Sequence, residues 1–154
     1  MIQFLYGRDA EIAEFVAGRV PVSGSDFGKN FKAIGVIKNG VFVAGAVYHH
    51  WNREHETIAM SLAATNPRWM TRFALHRILD FPFNECGCQM LLAQVLASDF
   101  RTQHQLARAG FGFDKIRRIY GRHQDGIIAT LTDDDWRASR FNRPPAEAKI
   151  EEAA

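Results

Sequence analysis

The stretch TNPRWMTRFAL, residues 65–75, lies where an apolar, strand-like run gives way to a helix-like one. Asn66-Pro67 breaks regular structure there, because proline lacks an N–H and restricts the residue before it. A proline just ahead of a helix loses nothing, since first-turn amides have no intrahelical partner. The spacing predicts a helix from Arg68, with Arg68 and Arg72 at i and i+4 beside those amides. The helix dipole disfavours cations at that end. The stretch therefore asks for a partner that offsets the cost.

Upstream, TIAMSLAAT (57–65) reads as a strand. Before it, FKAIGVIKNGVFVAGAVYHHW (31–51) places Asn39-Gly40 between two β-rich runs, which predicts a hairpin with a type I′ turn. WNREHE (51–56) turns the chain into the antiparallel strand that follows. At the start, MIQFLY is a strand, and Asp9 is expected to cap a helix up to Gly18 with Ile12, Phe15 and Val16 on one face. Residues 21–30, rich in Gly and Ser, are expected to form a loop with room for one helical turn.

Downstream, Trp69, Met70, Phe73, Leu75, Ile78 and Leu79 belong to the helix, which Pro82 should kink or end before Gly87. QMLLAQVLA (89–97) is nearly all apolar, as a central strand covered on both faces would be. A helix from Asp99 to Ala109, strands in FDKIRRIY and GIIATL, and a short helix capped by Thr132 with Asp135 complete the pattern. The order β-α-β-β-β-α-β-α-β-β implies one mixed α/β domain over residues 1–140, with a mobile tail at 141–154.

Composition narrows the function classes. The chain has 154 residues, 47% hydrophobic and 23% charged, with net charge +2, which suits one domain with its own core and no general nucleic-acid coat. No apolar run is long enough to span a bilayer, and MIQFLYGRDAE is not a signal peptide. Cys86 and Cys88 make no disulfide framework, and a cytoplasmic protein is expected.

Four features, in order, resemble the GNAT superfamily of acyl-CoA-dependent N-acetyltransferases: the element order, TIAMSLAAT leading into NPRWMTRF, GCQMLLAQVLASD, and RTQHQLARAGFGFD. The likeness spans residues 1–137, and the AGAVYHHW, PRW and FPFNECGC blocks are similar to a group encoded in phages and prophages. The resemblance implies a mostly antiparallel mixed sheet with helices on both faces and a splay between its fourth and fifth strands. It implies acetyl-CoA as the acyl donor and direct attack by an amine. By resemblance, main-chain N–H groups around Leu62, Ala63 and Ala64 meet the thioester oxygen. The loop of Arg68, Trp69, Met70, Thr71 and Arg72 meets the pyrophosphate, and Asp99 stands where the family often has Asn.

The departures are specific. The family's loop reads Arg/Gln-x-x-Gly-x-Gly/Ala, whereas Thr71 and Phe73 replace both small residues here. Leu106 stands where the family often has its acid Tyr; Ser98 and His104 are the candidate substitutes, the plainer alternative for His104 being a helix-surface residue. Glu56, near the start of the fourth strand, is the first candidate base, the plainer alternative being an exposed strand-end charge. His49, His50 and His55 crowd the hairpin end, with His50 a base or relay candidate or simply polar surface. The spacing of HHWNREH fits no zinc pattern, so no metal is expected. Arg117, Arg118 and Arg122 form a second basic cluster on the last hairpin. The acceptor is an amine on a small molecule or a protein. A catalytically decayed binding protein, including a phage-encoded modulator of a host protein, is the alternative, and a nucleic-acid binder a weaker third. Residues 41–48 or the last hairpin supply an edge for a homodimer.

Overall fold

The computed structural model describes residues 1–20, 27–66 and 68–142. The strands are β1 (Ile2–Leu5), β2 (Lys32–Lys38), β3 (Val41–Asn52), β4 (Thr57–Ala64), β5 (Met90–Leu96), β6 (Gly112–Ile116) and β7 (Gly126–Thr132). The helices are α1 (Asp9–Ala17), α2 (Arg72–Asp80), α3 (Phe100–Ala109) and α4 (Asp133–Ala138). One sheet runs β1-β2-β3-β4-β5-β7-β6, with every neighbouring pair antiparallel except β4 and β5. The expected β/α order and mixed sheet are therefore present, and Asn39 and Gly40 turn the β2–β3 hairpin with φ of 53° and 81°, as a type I′ turn requires.

Two apolar cores sit on opposite faces. Under α1, Ile12, Ala13 and Val16 meet Phe27, Ala33 and Val47. On the other face, α2, α3 and α4 bury Ile78, Leu79, Leu106 and Trp136 against Ile34, Met60, Leu91 and Leu131. Helix α1 approaches the sheet so closely that a Cβ on Gly45 would lie 2.8 Å from Ile12 Cγ2 and 3.1 Å from Val16 Cγ2. Gly45→Ala is therefore expected to destabilise by about 1–3 kcal/mol, read as a lower urea midpoint at unchanged m-value.

Local signals set several boundaries differently from expectation. Helix α2 starts at Arg72, not Arg68, because Thr71 Oγ1 accepts from the Ala74 N–H at 3.1 Å and caps the helix. Arg68, Trp69 and Met70 precede it outside the helix, with Trp69 N–H donating to Asn66 O at 3.2 Å. Asp9 does not cap α1: Arg8 holds that position, and the Asp9 carboxylate accepts from Ala33 N–H at 3.1 Å instead. Pro82 acts as expected, since α2 ends at Asp80 and passes into a π-helical turn, Phe81–Glu85. Arg77 fastens that turn to the residue after β1 by donating to Tyr6 Oη at 2.7 Å and to Glu85 at 2.6 Å. Thr132 caps α4 as expected, Oγ1 accepting from Asp135 N–H at 3.2 Å. Strand β6 stops at Ile116, short of the expected Tyr120, where Arg118 takes φ of 63°. Phe141 is buried in the core, so packed chain continues through the 3₁₀ turn Arg140–Asn142. The expected 21–30 loop falls mostly, and the expected 141–154 tail almost wholly, outside the described residues.

The feature that matters for the site is the β4–β5 seam. These strands pair only from Thr57↔Met90 to Met60↔Ala93. Beyond that, β4 stays bound to β3 through Ala64 and β5 to β7 through Leu96, so their facing edges part. The resemblance implied this splay, and it is present.

Candidate active site

The parted edges open a cleft of about 580 Å³ on the α3 side. Leu62, Ala63, Ala64 and Thr65 of β4 form one wall, with Trp69 and Met70 from the loop before α2. Asp99, Arg101, Thr102 and Gln105 close it from the start of α3, and Arg19 reaches it from the end of α1. The α3 side is rigid: Asp99 accepts from Thr102 N–H at 3.1 Å and from Thr102 Oγ1 at 2.7 Å, while Gln103 Nε2 holds the β5–α3 turn through Leu96 O and Ala97 O. Two arginines, Arg101 and Arg19 (the latter also donating to Phe15 O at 3.0 Å), and a strand edge with no strand partner toward β5 thus line one cleft. Such an edge offers backbone donors and acceptors to an extended ligand, and the guanidiniums suit phosphate. These donors fit acetyl-CoA.

Of the cofactor residues expected from sequence, Leu62, Ala63, Ala64, Trp69, Met70 and Asp99 are brought together here. Arg68, Thr71 and Arg72 are not among the lining residues. Arg68 is exposed ahead of the helix, its N–H donating to Asn66 Oδ1 at 2.9 Å, and Thr71 Oγ1 is committed to its cap. Arg72 donates to Arg140 O at 3.0 Å, tying the C-terminal turn down. The expected pair of arginines on one helical turn does not form, because the cap falls between them. Arg19, Thr65, Arg101, Thr102 and Gln105 were not among the expected residues. A polar run after a capping Asp, with no acidic residue in the first turn, was the available signal for the α3 set; Arg19 had none, being placed by α1 packing.

A second cavity, also about 580 Å³, opens at the same seam on the opposite face. Its walls include His49, His50, Ser61, Leu92, Gln94 and Tyr120. The expectation that β5 is covered on both faces is corrected here: Leu91, Ala93 and Val95 are buried, but Gln94 is exposed, since no described helix lies over that face of β5. Tyr120, from the β6–β7 connection, donates to Gln94 Oε1 at 2.8 Å, and burial raises its pKa. Ser61 and Leu62 are consecutive, yet Ser61 lines this cavity and Leu62 the other. The linings of the two clefts are thus adjacent in the chain just beyond Met60, where the strands part.

The histidines divide. His49 is 5% exposed and Ser61 8%. His49 Nε2 lies 3.0 Å from Ser61 Oγ, and its Nδ1 lies 2.5 Å from His50 Nδ1. Consecutive strand residues normally face opposite ways. Here the β3–β4 register slips between His49 and Asn52, and His50 takes φ of 55°, which brings the second ring back onto the first. A non-glycine residue in that region costs roughly 1–3 kcal/mol, so surrounding contacts must hold it.

The remaining candidates stand elsewhere. Glu56 is exposed in the β3–β4 turn with φ of 55°, at the paired end of β4. Five strand residues lie between it and Leu62, so the two are six steps apart, roughly 20 Å at strand rise. Glu56 lines neither cleft, but the next residue, Thr57, lines the second one. His55 is in the same turn. Ser98 is exposed beside the first cleft without lining it, and His104 is exposed on α3. Leu106 is buried in the core. Among the described residues, no three His, Cys, Asp or Glu side chains are grouped to hold a metal.

No family model and no curated protein sequence matches the chain. Solved structures do. Mutant forms of the spermidine/spermine N-acetyltransferase SpeG from Vibrio cholerae superpose with TM-score 0.69 at 11% identity, covering 90% of this chain and 98% of theirs. Ribosomal-protein-S5-alanine acetyltransferase from Vibrio fischeri gives TM-score 0.67 at 14% identity, covering 88% and 94%. At such identities the likeness shows the fold alone: this chain has the fold of these acetyltransferases.

Proposed function

We propose that the chain is an N-acetyltransferase that moves an acetyl group from acetyl-CoA to an amine by direct attack. The observation that carries the reading is the parting of β4 and β5 after Met60 and Ala93, with Ser61 lining one cleft and Leu62 the other. The α3-side cleft takes acetyl-CoA, which supplies an activated thioester when bound. Arg101 and Arg19 face its phosphates, and the β4 edge at Leu62–Ala64 presents main-chain N–H groups toward the thioester oxygen. The opposite cleft takes the acceptor amine. Cleft walls at two angles to one seam hold the reactants in order, which converts a bimolecular encounter into a positioned one.

No helix of the described residues is long and apolar enough to cross a membrane. We place the activity in the cytoplasm, and the phage-group resemblance makes a host protein amine one candidate acceptor.

Calorimetric titration with acetyl-CoA tests the assignment. Saturable binding is expected, weakened about 10-fold or more by Arg101→Ala, the size of one charge-assisted contact. Arg68→Ala, outside the lining set, is expected to weaken it less. No binding by the wild-type chain would sink the assignment. A second reading has its own observation: Leu106, at the family's acid position, is buried apolar core, as in a scaffold that binds without turnover. Binding with no acetylated product from any amine would favour it.

A further inference from the structure

Ser61, His49 and His50 form a hydrogen-bonded line from the seam of the two clefts to solvent. We propose that this line is the proton outlet of the acceptor site; the inference rests on the transferase reading above. An alkylammonium has a pKa near that of lysine, about 10.4, and must lose a proton before its nitrogen can attack. Ser61 follows Met60, the last residue of β4 paired with β5, and precedes Leu62 on the cofactor side. Its hydroxyl is thus the polar side-chain group of β4 placed where the amine must meet the thioester.

The proton has a defined route. Two Nδ1 atoms at hydrogen-bond distance need one donor and one acceptor, so one ring carries a proton there and the other does not. In the arrangement that satisfies all three groups, Ser61 O–H donates to His49 Nε2, and His49 Nδ1–H donates to His50 Nδ1. When the ammonium gives its proton to Ser61 Oγ, the original hydroxyl proton passes to His49 Nε2. The His49 Nδ1 proton passes to His50 Nδ1, and His50 becomes an imidazolium. His50 is exposed, so it releases its Nε2 proton to water. One proton leaves the nitrogen and one reaches solvent; no bond to carbon changes in this step. His49 is buried and cannot exchange with bulk by itself, which is why the second ring is needed. The left-handed His50 and the slipped register are what bring that ring into line.

The test uses the full chain with acetyl-CoA and three acceptor probes: benzylamine, spermidine and an alanine-terminated peptide. At least one probe is expected to be acetylated. Ser61→Ala should lower kcat about 100-fold, the scale of a positioned proton-transfer group, while leaving the Kd for acetyl-CoA unchanged. Ser61→Thr, which keeps the hydroxyl, should restore most of the rate. His50→Asn tolerates the left-handed backbone and should lower kcat without lowering the unfolding midpoint. Added imidazole should recover part of the His50→Asn loss. Wild-type kcat in Ser61→Ala overturns the outlet and leaves the transferase reading standing. An acetyl adduct on Ser61 in the intact mass overturns it in favour of a covalent acyl-serine. Acetyl-CoA binding with no probe acetylated overturns both the outlet and the transfer reading.

Discussion

Replacing Trp136 by alanine is expected to destabilise the fold by about 3–5 kcal/mol, the usual cost of truncating a buried Trp. For a chain of this size that is a fall in Tm of roughly 10–15 °C. Trp136 is 1% exposed, lies stacked on Phe83 at 5.9 Å between ring centroids, and meets the His76 ring at 6.1 Å. It therefore packs α4 onto both α2 and the π-helical turn. Hydrogen bonds from the following residues complete the seam, with Phe141 O near His76 Nδ1 at 2.9 Å and Arg140 O accepting from Arg72 at 3.0 Å. Losing the indole opens a cavity where these elements converge. Trp136→Phe should cost much less than the alanine change. The indole Nε1–H is buried without a hydrogen-bond partner among the described residues, so its removal recovers part of the burial penalty. Thermal and urea unfolding of the two variants decide this; equal losses would mean that ring area alone does not set the cost. Neither change touches a residue lining the clefts, so acetyl-CoA binding below each Tm should be retained.

The fold was legible in the sequence wherever the signal was local. Asn39-Gly40 demanded positive φ, Thr132 and Asp135 marked a cap, and Pro82 marked the end of α2; all act within four residues of themselves. The misread positions are those where a distant partner intervenes. Asp9 was free to cap α1 until Ala33, 24 residues away, supplied a competing donor. The β5 run looked doubly buried because apolar composition cannot report that no described helix lies over one face; Gln94 within it was the visible hint. The candidate site divides the same way. Leu62–Ala64, Trp69, Met70 and Asp99 lie beside the seam that the element order creates, and the resemblance located them. Glu56 suits a base by its chemistry and its place near the start of β4, and it stands in the exposed turn beside Thr57 of the second cleft. The His49–Ser61 contact spans two strands, and the meeting of His49 with His50 depends on a bulge that no residue pattern announces.

Filling one cleft at a time should separate the two halves of the reaction. Ala64, at the end of β4, is half-buried and lines the α3-side cleft. Ala64→Trp places an indole in a space of about 580 Å³ along the edge that acetyl-CoA must follow. Binding should weaken by at least about 1,000-fold, roughly 4 kcal/mol. The open cleft gives the ring room, so the unfolding midpoint should hold. Leu92, half-buried on the opposite face, lines the acceptor cleft and no part of the first. Leu92→Trp should therefore leave the calorimetric Kd for acetyl-CoA intact while abolishing transfer to any amine the wild-type chain accepts. The contrast is sharper than either loss alone. If acetyl-CoA entered from the Tyr120 side, the pattern would reverse, with Leu92→Trp losing binding and Ala64→Trp keeping it. If both variants bound acetyl-CoA normally, neither cleft would be its site. A single seam with a cofactor on one face and an acceptor on the other requires the first pattern, because Ser61 and Leu62 are adjacent in the chain but line different cavities.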